Sequence, residues 1–155
     1  KSEKINFIFS SDLARAVDTA VEISLNHPEA KLELTQELRE RHLGEFTGKH
    51  RDEINLRKND ADSVYDVITN GEKVEALYER AATYLAKILA AHPDDTVLFV
   101  GHSGINKALI AVITGLTHAD IKTMEAQHNT SVTIFEIDEN KNHKIHLLND
   151  IKHLK

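Results

Sequence analysis

Cysteine is absent from the 155 residues, which excludes disulfides, thiolate nucleophiles and cysteine-held metals. Tryptophan is absent as well, and proline occurs only twice, so the chain is not a Pro-rich low-complexity sequence. No apolar run approaches the roughly 20 residues of a membrane-spanning helix, and no signal-peptide pattern opens the chain. Positive charge is in deficit, with 19 Lys and Arg against 25 Asp and Glu for a net charge of −6. That balance argues against a generic nucleic-acid surface and leaves room only for a local basic pocket. A cytoplasmic protein with neither a nucleic acid nor a membrane as partner is the expectation. Hydrophobic residues make up 41% and charged residues 28%, an ordinary globular composition that suits one domain over residues 1–155 with a real core.

Strand-like and helix-like segments alternate along the chain. Ile5–Phe9 reads as a short strand, followed by the capping chemistry of Ser10, Ser11 and Asp12. Leu13, Val17, Ala20, Val21 and Leu25 then keep a helical period until Asn26-His27-Pro28 ends it. Lys31–Leu34 is a brief strand, Glu37–Gly48 a structured loop, and Arg51–Asn70 a polar helix. An amphipathic helix is predicted over Glu72–Ala91, with Val74, Leu77, Tyr78, Ala81, Leu85 and Ile88 on one side. A buried strand over Thr96–Val100 leads through Gly101 into a helix over Ile105–Thr114, which Gly115 caps. Thr117 to Asp120 reads as a capping box. Ser131–Ile137 and Lys144–Leu148 are the last strands. The expected fold is α/β, a three-layer sandwich with helices on both faces of a mostly parallel sheet and an antiparallel edge.

Strand, glycine turn, helix is the arrangement that places ligands beyond the carboxyl end of an open α/β sheet. His102 occupies that turn, where the following helix offers unpaired N–H groups and the positive end of its dipole. An anion there would meet an imidazole and backbone donors together. Arg15, in the first turn of the first helix, points to the same sheet edge and can grip a phosphate with two parallel hydrogen bonds. Glu40 and Arg41 lie in the irregular loop, and a loop carboxylate near a basic pocket can act as a general acid when burial raises its pKa. The other histidines lack metal-ligand spacing: His42 and His50 match no signature, His143 and His146 sit three apart in a strand, and His27 and His92 precede prolines. Neither a metal nor a cofactor is expected.

Three segments, Ser10–Ala20, Leu38–Gly48 and Val97–Gly104, together resemble one family, the histidine phosphatase superfamily with its phosphoglycerate-mutase-like fold. Ser10–Ala20 is similar to its strand-to-helix signature, Leu38–Gly48 to its acid-bearing loop, and Val97–Gly104 to the strand with its second active-site histidine. The resemblance implies that Arg15 binds the phosphoryl group, Glu40 protonates the leaving oxygen, and His102 stabilises the transition state. Arg41 and Ser103 would add substrate contacts. Asn129-Thr-Ser131 resembles a family segment near the pocket. The implied substrate is a small phosphorylated metabolite, hydrolysed through a phosphohistidine.

One departure matters. The family opens with Arg-His-Gly, whose histidine is the nucleophile, and no Arg-His-Gly occurs in this sequence. Alignment would put it upstream of Lys1, on a missing segment on the order of 30 to 40 residues long. The printed chain is therefore expected to be truncated and inactive, with an open sheet beside the His102 strand. An upstream segment, a separate chain or a partner, including a second copy in a homo-oligomer, would complete it. Three further readings stay open: a phosphoglycerate mutase, from Glu40-Arg41-His42; a non-catalytic phosphate-binding module keeping Arg15 and His102; and a serine hydrolase using Ser103, from Gly101-His-Ser-Gly104.

Overall fold

The computed structural model describes residues 4–47 and 70–154. In chain order the regular elements are β1 (Phe7–Ser11), α1 (Ala14–Leu25), β2 (Lys31–Thr35), α2 (Val74–Ala91), β3 (Val97–Val100), α3 (Ser103–Thr114), β4 (Val132–Ile137) and β5 (His143–Asp150). The polar helix expected over Arg51–Asn70 lies outside the described residues except for Asn70, as do Gly48 and His50.

Three strands form a parallel sheet in the order β2-β1-β3. Side chains alternate across it, as the period of a strand requires. Phe7, Phe9, Val97 and Phe99 face a core shared with α2 and α3. Ile8, Leu32, Leu98 and Val100 face a second core shared with α1. Helices therefore cover both faces, which is why β3 reads as a continuous apolar run and β1 opens on one, while β2 at the edge alternates. The α/β layering expected from the sequence is the layering observed. No described helix is long and apolar enough to cross a membrane.

Small residues set the closeness of the first helix. Ala16 and Ala20 are buried against the sheet one turn apart, and Pro28 prevents α1 from continuing. Along α2 the buried stripe is Val74, Leu77, Ala81, Tyr84, Leu85 and Ile88. Tyr84, missing from the expected stripe, packs its ring against Phe9 and Phe99. Tyr78, which was in that stripe, is half-buried and donates from its hydroxyl to the Leu116 carbonyl at 3.0 Å. Gly115 ends α3 with φ at 72°, and the Leu116 N–H returns to the Ala111 carbonyl at 2.9 Å. That left-handed residue is the helix stop that glycine favours. The expected capping box at Thr117 is one-sided: the Thr117 N–H and hydroxyl both donate to the Asp120 carboxylate.

The C-terminal strands differ from expectation. β4 and β5 pair antiparallel as a separate two-stranded sheet instead of forming an edge of the parallel one. Among the described residues, β3 has β1 on one side and no strand on the other. Val132, Ile134, Ile145, Leu147 and Leu148 of the hairpin are exposed.

Candidate active site

Three of the residues that the sequence marked as chemical, Arg15, Glu40 and His102, gather at the carboxyl end of the parallel sheet. β1 ends in Ser10 and Ser11, both fully buried, and Ser10 lies in register with Val100 of β3. Gly101 and His102 therefore leave the sheet next to Ser11. The His102 Nε2 lies 2.9 Å from the Ser11 hydroxyl oxygen. From the first turn of α1, the Arg15 Nε donates to the His102 Nδ1 at 3.2 Å.

A guanidinium can only donate, so the His102 Nδ1 accepts and the ring proton sits on Nε2, donating to Ser11. Electrostatics agree with this neutral imidazole. Burial holds the His102 pKa below its ordinary value, the Arg15 charge lowers it further, and the Glu40 carboxylate opposes both. Both ring nitrogens are thus occupied by Arg15 and Ser11. His102 does not serve Ser103 as a base in this arrangement, which a serine nucleophile would need. The Ser103 hydroxyl instead accepts from the Gln127 N–H at 3.3 Å.

Glu40 reaches the site from the loop after β2, anchored by the fully buried Leu38. Its carboxylate accepts from the Arg41 N–H at 2.8 Å and from the Gly104 N–H at 3.0 and 3.1 Å. This corrects one expectation: the Gly104 amide at the start of α3 is taken by the chain's own carboxylate, not left open to an incoming anion. Favourable placement of an anionic side chain at a helix N-terminus explains why. It also explains Gly104 itself, since a Cβ there would collide with the Glu40 Oε1.

Arg15, Glu40 and His102 are brought together. Arg41 is buried, and its Nε donates to the Glu72 carbonyl at 2.7 Å. His42 is exposed and accepts the Gly44 N–H on Nδ1. Asn129, Thr130 and Ser131 lead into β4 beyond the Gln127 contact to Ser103.

Sequence reasoning missed Ser11, Asp12, Arg39, Glu72 and Arg80. Asp12 and Arg39 form a two-pronged ion pair, with both N···O distances 2.6 Å. It joins the β1–α1 turn to the acid loop and holds the Asp12 carboxyl below its usual range. A serine pair ending a buried strand was the available signal for Ser11. Arg80 sits next to the apolar stripe of α2, three residues after Leu77 and four before Tyr84, which marks a charged side chain at the edge of a core.

An exposed guanidinium, a neutral imidazole and a carboxylate stand together at one sheet edge, with the charge and the donors that an oxyanion needs. Comparison with known proteins gives the same direction. The sequence profile of the histidine phosphatase superfamily (branch 1) matches residues 1–151. Phosphoglycerate mutase-like protein 4 of Arabidopsis thaliana is 29% identical over 161 residues, covering 99% of this chain and 68% of that protein. The metal-independent phosphoserine phosphatase of Arabidopsis thaliana is 29% identical over 126 residues, covering 77% of this chain and 53% of that protein. Among solved structures, the mycobacterial glucosyl-3-phosphoglycerate phosphatase complexed with VO3 aligns with a TM-score of 0.81 at 25% identity, covering 94% of this chain and 77% of that one.

Proposed function

The chain belongs to the histidine phosphatase superfamily, and from that premise we propose that it forms most of a cytoplasmic phosphatase acting on a small phosphorylated metabolite. The observation that carries this reading is the meeting of Arg15, Glu40 and His102 at one sheet edge, from three distant parts of the sequence. When a phosphoryl group enters, the His102 Nε2–H turns from Ser11 to its oxygens and the Arg15 Nη groups grip it, and together they stabilise the charge of the transition state. Glu40 in its carboxylic-acid form delivers a proton to the leaving oxygen and, then a carboxylate, takes one from the attacking water. Arg41 and Ser103 act on the substrate through the loops they tie down.

The nucleophile in this reading is a histidine on a strand upstream of Lys1, docked along the open side of β3. Its ring nitrogen forms an N–P bond as the ester P–O bond breaks. Water then attacks phosphorus, the N–P bond breaks, and inorganic phosphate leaves. Support comes from the side of β3 that carries no strand among the described residues and from the separate hairpin with its exposed Val132 and Ile134. Without that strand the 155 residues are inactive.

The test is to assay the full gene product against phosphoserine, sugar phosphates, phosphoglycerates and nucleotides. Release of inorganic phosphate from one small class is expected. A mutase is the second reading, favoured by Glu40-Arg41-His42 and by the similarity to a phosphoglycerate mutase-like protein. Phosphoryl transfer between phosphoglycerates with little hydrolysis would establish it in place of the first.

A further inference from the structure

Arg80, on α2, touches none of the three site residues, yet its guanidinium grips the loop that carries one of them. Its Nε and Nη2 donate to the two oxygens of the Glu72 carboxylate at 2.9 and 2.8 Å. Its Nη1 donates to the carbonyls of Glu37 and Arg39. Glu72 extends the grip: its N–H donates to the His42 carbonyl at 2.8 Å, its carbonyl accepts from the Arg41 Nε, and its carboxylate faces the His42 N–H at 3.4 Å. The acid loop is thus tied to Arg80 and Glu72 at residues 37, 39, 41 and 42, on both sides of Glu40.

An exposed ion pair of this composition would contribute little. Here both side chains are more than four-fifths covered, the fork is bidentate, and the remaining donor is spent on loop carbonyls whose only other recourse is water. We infer that Arg80, acting through Glu72, is the positioning residue for the catalytic acid: it fixes the register of residues 37–42 so that the Glu40 carboxylate meets the Gly104 N–H and faces the leaving group. This inference rests on the phosphatase reading for its catalytic half and on geometry alone for its positioning half.

Arg80→Met removes the grip, and Arg80→Lys keeps the charge but loses the planar fork. Both are made in the full gene product, with Glu40→Gln as reference. A misplacement of about 1 Å in a catalytic group costs on the order of 100-fold. Arg80→Met is expected to lower kcat for an alkyl phosphomonoester by about 10- to 100-fold with KM nearly unchanged. Hydrolysis of p-nitrophenyl phosphate, whose leaving group needs little protonation, should hardly change. Inhibition by inorganic phosphate, which reports Arg15 and His102, should stay the same. The Gly104 amide proton should move upfield as its hydrogen bond to Glu40 loosens, in Arg80→Met strongly and in Arg80→Lys less.

Equal losses on both substrates, or a Gly104 amide unmoved in a folded variant, would overturn the proposal. Should Arg80→Met fail to fold, Arg80→Lys decides by the same readings. If the wild-type protein hydrolyses neither phosphomonoester, the phosphatase reading fails, while the Gly104 amide still decides whether Arg80 positions Glu40.

Discussion

The parallel sheet β2-β1-β3 and the hairpin β4–β5 are built from similar strand-forming residues and end up in opposite environments. Ile8 of β1 is fully buried between α1 and its neighbouring strands. Ile134 and Leu147, cross-strand partners in the hairpin, remain more than a third exposed. The site is mounted on the covered half, where α1, α3 and the acid loop converge on the ends of β1 and β3. A rigid, doubly covered sheet can hold Arg15 and His102 in hydrogen-bond contact across 87 residues of sequence. The hairpin has apolar surface without cover among the described residues, and the Gln127 N–H to Ser103 contact connects its approach to the site.

The largest expected effect separates the two halves by function. Glu40→Gln in the active protein should lower kcat for an alkyl phosphate by about 10²- to 10⁴-fold, or about 3 to 5 kcal/mol of barrier. Gly104→Ala should fall in the same direction, because the new Cβ displaces the carboxylate. Steady-state kinetics on the two variants checks both.

Next comes packing. Ile8→Ala leaves a cavity between the sheet and α1 and should cost about 2 to 5 kcal/mol in urea or thermal unfolding. A value under 1 kcal/mol would mean that this half is no better packed than the hairpin.

Acid stability sharpens the same contrast. The folded state holds the His102 pKa below its unfolded value, so between the two values the unfolded chain binds more protons and stability rises with pH. The His102 contribution is intact above about pH 6.5 and is lost as pH falls through that value toward the lower folded one. Unfolding curves across pH 5 to 8 should show this slope, and His102→Gln should flatten it.

The smallest effect belongs to the hairpin. Ile145→Thr, at an exposed position, should change stability by no more than about 0.5 kcal/mol.

Local chemistry was the legible part of the molecule. The apolar run at β3 announced a strand buried on both faces, Ile5–Phe9 announced β1 as a strand, and the period of α2 announced most of its buried stripe. Gly115 announced the end of α3. His102 was legible from its glycine turn at a strand end, whereas Arg15 and Glu40 stood out through the likeness of Ser10–Ala20 and Leu38–Gly48 to the family's segments. What escaped was long-range pairing. Nothing in the local pattern says that Asp12 meets Arg39, or that Arg80 reaches back to the carbonyls of Glu37 and Arg39. Such pairs depend on which loops the sheet order brings together. The hairpin failed for the same reason: the alternation over Ser131–Ile137 identifies a strand but not the sheet it joins.

The central claim is that the phosphoryl group passes through a histidine carried by a strand beside β3, with Arg15 and His102 around it. Brief reaction of the full gene product with a phosphorylated substrate, alkaline quenching and mapping of the phosphorylated peptide tests it most directly. The account predicts an acid-labile phosphohistidine on a histidine outside residues 1–155, lost in Arg15→Ala. Phosphate on Ser103 or His102, or turnover by residues 1–155 alone, would contradict it.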